Sequence, residues 1–327
     1  MITHQTDTGI DRLMLELHAL GADVVRFDLA DCPTQVHITA TLSDHGWEGT
    51  VEVRGRTVDL ARISAILRWH PGPPRIPGTR PAAERQWMTR ETTAGLGGVL
   101  SSLPCRHINH PVAVRGAQVK AEVLARAASL GLTVPPTVIT SRSDAARRVA
   151  GAGPTVLKAL TEPVITQNAT GADVLFTRPF TARDAARHAG YSTLQLQQHI
   201  TNSAYDVRLF VVGDQVLAFR IDPARTPAPD DIRAAGPLTV TPCTVPDSVA
   251  EGAVALTADF ALSYAALDFL ADDVRHWLLD LNPAGQFSAV ESARDLPAVS
   301  RLLAGHLTAQ SAPHRRTAAP APATATP

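Results

Sequence analysis

Residues 263–286 read SYAALDFLADDVRHWLLDLNPAGQ, two hydrophobic runs flanking the polar turn Ala271–His276. This is the pattern of a β-hairpin. Asp268 and Asp280 stand equally far from Val274 at the tip. In an antiparallel pair they therefore lie opposite each other and project from one face. Asn282, two residues beyond Asp280, falls on that face too. Two carboxylates and an amide oxygen converging there form a hard, oxygen-only site of the kind Mg²⁺ uses when it also carries phosphates. An exposed strand face with acidic residues fits the same spacing. Against full exposure stand Leu267, Phe269, Leu279 and Leu281, because charges among buried side chains need compensation.

The chain around this hairpin has 327 residues, enough for two or three lobes with sizeable cores. Hydrophobic residues make up 45% and charged residues 19%, a globular balance, and the formal net charge of −1 gives no global pull toward nucleic acid or anionic membrane. Cys32, Cys105 and Cys243 match no zinc or redox spacing, which suits a reducing cytoplasm. No apolar run reaches the ~20 residues that span a bilayer, and the polar start MITHQTDTG is not a signal peptide. A cytoplasmic location is the expectation.

Upstream, Met1–Thr3, a helix over Ile10–Leu20 and a strand at Asp23–Asp28 make a β-α-β opening. Segments 36–42 and 49–54 suggest a polar-faced hairpin and Ala65–Trp69 a buried strand. The run HPGPPRIPGTRP (70–81) is too proline-rich for regular structure. Helices are expected at Ala82–Leu100 and, as one amphipathic element, at 112–130. Strands follow at Thr137–Thr140, Thr155–Lys158, Val174–Thr177 and Thr193–His199, with helices near Ser143–Ala150 and Thr181–His188. Residues 161–172 (TEPVITQNATGA) read as a polar loop. Strands Val207–Val212 and Gln215–Ile221 flank the turn signal Gly213–Asp214. A loop at 223–237, a helix at Ser248–Leu262 and, after the hairpin, a helix near Leu296–Leu307 complete the pattern. The tail SAPHRRTAAPAPATATP lacks the apolar content to pack.

Seven basic or amide-bearing positions could carry chemistry. Lys120 in the 112–130 helix also reads as a surface lysine whose stem lies along apolar surface. Lys158 continues the apolar strand TVLKAL, where a lysine needs an anionic partner. Phosphate is one candidate, Glu162 the structural alternative. Arg208 and Arg220, on paired strands, offer planar forks for carboxylate or phosphate; pairing with Asp206 or Asp222 is the other reading. Gln197, Gln198 and His199 end the strand LQLQQHI, which as an edge strand could offer backbone groups to a nucleobase. His70, His107, His110 and His199 show no pairwise zinc spacing, and no G-x-S-x-G, Walker A or G-x-G-x-x-G occurs.

Four segments in this order resemble the ATP-grasp superfamily, most closely the graspetide synthetases, the microviridin-type, MvdD-like maturases of ribosomal peptides. They are NHPVAVRGAQVKAEVLARAASLGLTVPPTVITS (109–141), TVLKAL (155–160), LQQHITNSAYDVRLFVVGDQVLAFRID (196–222) and SYAALDFLADDVRHWLLDLNPAGQF (263–287). The resemblance spans roughly residues 60–307 and continues more weakly upstream. It implies an α/β ATP-grasp fold with α+β lobes: an N-terminal pre-ATP-grasp α/β domain over 1–108, a central lobe over 109–192, a C-terminal lobe over 193–310 and a disordered tail over 311–327. ATP and Mg²⁺ are the implied cofactors. By the same resemblance Lys120 and Lys158 hold phosphates, and Gln197, Gln198, His199 and Ile200 form the hinge strand that reads adenine. Arg208 contacts the γ-phosphate or developing acyl phosphate, Arg233 in DDIR orients the substrate carboxylate, and Asp268, Asp280 and Asn282 hold Mg²⁺. RWHPGPP (68–74) is similar to the family's Trp-Tyr-Arg-Arg-Pro segment, with His70 replacing part of the double arginine. Asp280 stands where the family usually has Glu, and Asn202 where it often has Lys. The first strand is shorter than expected, as though the natural start lay upstream or the strand were trimmed.

The implied reaction activates Asp or Glu side chains of a ribosomal precursor peptide as acyl phosphates. Thr or Ser hydroxyls then capture them as ω-esters, or Lys amines as ω-amides. Residues 161–172 are the candidate lid that excludes water. Two other readings fit less of the sequence: a RimK-like carboxylate–amine ligase, and a non-catalytic ATP- or peptide-binding module. No nucleic-acid or membrane partner is expected, and a homodimer is left open.

Overall fold

The computed structural model describes residues 1–161, 164–168, 171–174, 177–188, 190–201, 205–223, 238–294 and 298–309. Glu162, Asn202, Arg233 and the tail from residue 310 lie outside the described residues.

The chain opens with β1 (Ile2–Thr3), α1 (Thr8–Ala19), β2 (Val36–Ser43), β3 (Gly46–Val53), β4 (Arg56–Asp59), β5 (Ala65–Trp69), α2 (Ala82–Ser102) and β6 (Arg106–Ile108). Asp7 caps α1 by accepting from the Gly9 and Ile10 amides. A parallel sheet runs β1-β5-β6, beside an antiparallel sheet β2-β3-β4. The expected hairpin at 36–54 is present and gains β4 as a third strand. The strand expected at Asp23–Asp28 is not formed. Only Phe27 makes a bridge there, to Ile2, because β1 is two residues long and gives it little to pair with.

The helix expected over 112–130 is two helices, α3 (Pro111–Ala117) and α4 (Lys120–Ser129). Gln118 closes α3 through its own amide, and Val119 leaves helical geometry at ψ 92°. The break places Lys120 at the first position of α4, where a positive side chain opposes the helix dipole and gains from an anionic neighbour.

Next come β7 (Thr137–Thr140), α5 (Ser143–Ala152), β8 (Thr155–Lys158), β9 (Val164–Asn168), β10 (Gly171–Val174), β11 (Arg178–Pro179), α6 (Ala182–His188) and β12 (Leu194–Gln198). The antiparallel sheet order is β11-β8-β12-β7, with Leu157, Leu194 and Leu196 packed against Ala146 and Ala185 of the two helices. One expectation changes here. Residues 161–172 are not a loop throughout, since β9 and β10 pair as a hairpin, while the strand expected at Val174–Thr177 has its middle, residues 175 and 176, outside the described residues. The β-branched run Val164, Ile165 and Thr166 suits a strand, a propensity outweighed in the sequence by the polar residues around it.

The last sheet is built from β13 (Tyr205–Val212), β14 (Gln215–Pro223), β15 (Leu238–Pro242), β16 (Tyr264–Ala271) and β17 (His276–Asn282), with α7 (Asp247–Asp259), α8 (Ser288–Arg294) and α9 (Ala298–Thr308). Its order is β15-β14-β13-β16-β17. Alternation divides it cleanly. Val207, Leu209, Val211, Ala265, Leu267 and Phe269 pack with α4 and α7. Phe210, Val212, Tyr264 and Ala266 pack on the other side with Trp69, Phe287 and α1. Trp69 is 1% exposed, with ring centroids 5.1 Å from Tyr264 and 5.4 Å from Phe287. The opening domain is thus cored against the same sheet face that carries Arg208 and Asp268.

Candidate active site

β16 and β17 form the hairpin read from the sequence, and Asp268 is the direct partner of Asp280, with Asn282 opposite Ala266. The register arises in an unexpected way. At the tip Ala271 pairs with His276, so a regular ladder would set Leu279 opposite Asp268. A bulge between the Asp268 and Phe269 pairings inserts Leu279 and brings Asp280 into register. Asp272 fixes the tip by accepting from the Val274 and Arg275 amides at 2.8 and 2.6 Å.

Arg208 on β13 is the other cross-strand partner of Asp268. Its Nε and Nη2 donate to the two carboxylate oxygens at 2.7 and 3.0 Å, a bidentate fork. The Asp268 charge, opposed by burial, holds the guanidinium well above its ordinary range. Asn282 Nδ2 donates to Asp268 Oδ2 at 3.1 Å, and Lys120 Nζ donates to Asp280 Oδ2 at 3.2 Å. Asp280 Oδ1 accepts its neighbour's amide, Leu281 N, at 3.0 Å. Lys120, Arg208, Asp268, Asp280 and Asn282 therefore meet in one place, drawn from α4, β13, β16 and β17. The four ionic side chains are each 26–29% exposed, open enough for a ligand to reach.

Asp206 belongs to this cluster, although the sequence reading offered it only as a partner for an arginine. It precedes Arg208 by two on β13 and shares its face. Burial first, and then the Asp268 charge, raise its carboxyl from the ordinary 3.8 to about 7, while Arg208 and Lys158 pull the other way. Between those values the folded chain holds a proton that the unfolded chain has released, so stability falls as pH rises through this window. Asp206→Asn is expected to stabilise the ligand-free fold by about 1–3 kcal/mol at pH 8. The gain should shrink as pH falls toward 4, and chemical denaturation at pH 8 and pH 5 reads it. An equal difference at both pH values would contradict the assignment.

Lys158 ends β8 opposite Gln195 of β12, and its charge is felt at Asp206. Gln195 is 2% exposed, and among the described residues its Oε1 has no hydrogen-bond partner. Of the two readings open for this segment, an edge strand or an ordinary one, the second holds: β12 lies between β8 and β7 and is paired on both sides. Gln197 is buried and donates through Nε2 to Thr137 Oγ1 at 2.9 Å. The Gln198 and His199 amides donate to Pro136 and Pro154 carbonyls at 2.9 Å each, and Ile200 follows directly. Arg220 takes the structural alternative, gripping Asp222 at 2.7–2.9 Å and lying 4.3 Å over the Tyr205 ring on the opposite face from Arg208.

Among the described residues no cluster of three or more His, Cys, Asp or Glu side chains comes together for a metal. An ion here would rest on two carboxylates, one amide oxygen, and oxygens from water or phosphate, a donor set that fits Mg²⁺ and not zinc. Among the same residues no helix is long and apolar enough to cross a membrane, and the three cysteines are free.

Solved structures bear out the ATP-grasp fold with a pre-ATP-grasp domain. Residues 1–115, the opening domain, match the family model described as the MvdD pre-ATP grasp domain. Macrocyclase MdnC from Microcystis aeruginosa MRC, solved bound with precursor peptide MdnA, superposes with a TM-score of 0.81 at 23% identity, covering 94% of this chain and 97% of that one. A RiPP-associated ATP-grasp ligase from Chryseobacterium gregarium, solved with ADP and a leader and core peptide, gives 0.83 at 23% identity, covering 94% and 95%. The RimK domain protein ATP-grasp from Sphaerobacter thermophilus DSM 20745 is more distant, with a TM-score of 0.55 at 16% identity over 93% and 97%. No curated relative matches the chain.

Proposed function

We propose that this protein is an ATP-dependent peptide macrocyclase. The observation that carries the reading is the convergence of Lys120, Arg208, Asp268, Asp280 and Asn282 beneath an MvdD-type pre-ATP-grasp domain. It is supported by the likeness in fold to MdnC and to the Chryseobacterium ligase, both solved with peptides. Asp268, Asp280 and Asn282 would hold Mg²⁺, which when bound neutralises phosphate charge. Lys120 and Lys158 would bind the phosphates, with Gln197, Gln198, His199 and Ile200 along the adenine. Arg208 would steady charge developing on the transferred phosphoryl group and the acyl oxygen. Arg233 would orient the carboxylate to be activated.

A side-chain carboxylate of the peptide attacks the γ-phosphorus, giving an acyl phosphate and ADP. A Thr or Ser hydroxyl attacks the acyl carbon, phosphate leaves, and an ω-ester closes; a Lys amine gives an ω-amide. Water must be kept out while the acyl phosphate lives. The β9–β10 hairpin, rather than a loop, is the proposed cover. The proposed lobes are those of the sequence reading, and the proposed compartment is the cytoplasm.

The test is incubation of the purified protein with ATP, Mg²⁺ and a precursor peptide carrying a leader and a Thr/Asp/Glu core. ADP release and peptide mass falling by whole waters are expected. Peptide that instead gains the mass of an added amine would favour the RimK-like reading. No ADP with the cognate precursor would defeat both.

A further inference from the structure

The five residues after Asn282, PAGQF (283–287), leave β17 and cross under the opening domain before α8 begins. Three successive carbonyls in this segment are taken by side chains from other elements. Pro283 O accepts from Asn109 Nδ2 at 2.6 Å, Ala284 O from His70 Nε2 at 2.6 Å and Gly285 O from the Tyr264 hydroxyl at 2.5 Å. Arg208 Nη1 reaches toward the fourth, Gln286 O, at 3.5 Å, and Gln286 Nε2 donates to Asp7 of the α1 cap at 3.2 Å. Asn109 is 3% exposed and fully committed. Besides Pro283 it donates to Tyr264 O at 2.7 Å and accepts from the Ser263 and Tyr264 amides at 2.8 and 3.1 Å.

The segment also lies flat on the sheet. A Cβ at Gly285 would sit 2.4 Å from Ala266 Cβ and 3.1 Å from Asn282 Cβ. The Gly285 amide closes back on Asn282 O at 3.2 Å. His70 adopts φ +42°, a left-handed backbone uncommon for a residue with a side chain. Two residues on, the Gly72 amide is pinned to Asp28 Oδ1 at 2.7 Å. A strained residue at the end of β5 therefore points its ring at the backbone immediately following Asn282.

We propose that His70 is a positioning residue for the metal site: through Ala284 O it fixes the 283–286 backbone, and with it the aim of Asn282 beside Asp268. The opening domain then does more than cover the sheet, since one of its side chains sets the geometry of a candidate ligand it never touches. This rests on reading Asp268, Asp280 and Asn282 as the Mg²⁺ site. Groups that orient metal ligands through a hydrogen bond typically change metal affinity 10–100-fold when removed.

His70 is exposed, so His70→Ala leaves the core intact. Two readouts use the full chain without peptide. The first is ADP affinity titrated with Mg²⁺, beside ADP affinity in EDTA. The second is hydrogen–deuterium exchange at residues 284–287 in ligand-free protein. For His70→Ala we expect about a tenfold rise in the Mg²⁺ concentration giving half-maximal effect, unchanged ADP affinity in EDTA and faster exchange over 284–287. His70→Gln, whose amide can donate to the same carbonyl, should restore both. Wild-type Mg²⁺ dependence in His70→Ala overturns the inference, and so does a shift that His70→Gln fails to reverse. Wild-type protein that binds ADP no better with Mg²⁺ than in EDTA would overturn the metal reading itself, before any variant is made.

Discussion

Asp280→Asn lowers ATP turnover at least ~100-fold and leaves the fold standing. The substitution keeps the side chain's size and an oxygen that can still accept the Leu281 amide, now seen at 3.0 Å. What it removes is one of the two negative charges proposed to hold Mg²⁺. A metal that stabilises transferring phosphate contributes several kcal/mol to the barrier, and two decades in rate correspond to about 2.7 kcal/mol. Stability barely changes, because Lys120 loses a partner while 29% exposed and turns to water, a change of about 1 kcal/mol or less. The expected data are thus a wild-type denaturation midpoint with almost no ADP release. Asp280→Glu, with its carboxylate one methylene further out, keeps measurable turnover. Near-wild-type turnover by Asp280→Asn would remove Asp280 from the metal site.

Arg208→Leu has a different signature, losing turnover and stability together. The guanidinium grips Asp268 through two hydrogen bonds at 2.7 and 3.0 Å, with both side chains about three-quarters covered. Leucine strands the Asp268 carboxylate in that setting, beside Asp206. Breaking one partner of a buried pair costs about 3–5 kcal/mol, and water at this partly open site lowers the expectation to about 2–4 kcal/mol. Replacing both partners is far milder than replacing one. Arg208→Leu/Asp268→Leu should therefore recover most of the stability and none of the turnover, a non-additivity that a double-mutant cycle measures. A double variant as unstable as the single one would show that the pair is not what the arginine satisfies.

Strand alternation made much of this site legible. Asp268, Asp280 and Asn282 sit on one face because the hairpin's apolar runs say so, and Lys158 was marked out as a charge on a buried strand. Elsewhere tertiary pairing overrode local pattern. The bulge at Leu279 leaves no mark in composition, yet without it the symmetric spacing about Val274 would have misplaced Asp280. The break at Val119 was hidden because 112–130 keeps a helical period across it. Strand LQLQQ gave no sign of lying mid-sheet rather than at an edge, since its neighbours β7 and β8 come from distant sequence. Asp206 was visible as a residue but not as a member of the cluster, because only burial beside Asp268 perturbs it. The contribution of His70 and Asn109 to the 283–286 backbone had no sequence signal, since it depends on carbonyls.

The paired charges of the ligand-free site carry one more consequence. Lys120 and Arg208, the cations proposed to bind phosphate, are occupied by Asp280 and Asp268, the anions proposed to hold metal. A nucleotide arriving alone must pry the cations from their carboxylates, and a metal arriving alone must do the reverse. Arriving together, each releases what the other requires. On the proposed roles their affinities are then thermodynamically coupled and reciprocal, so the site would behave as an AND gate that ignores stray phosphate and stray divalent cations alike.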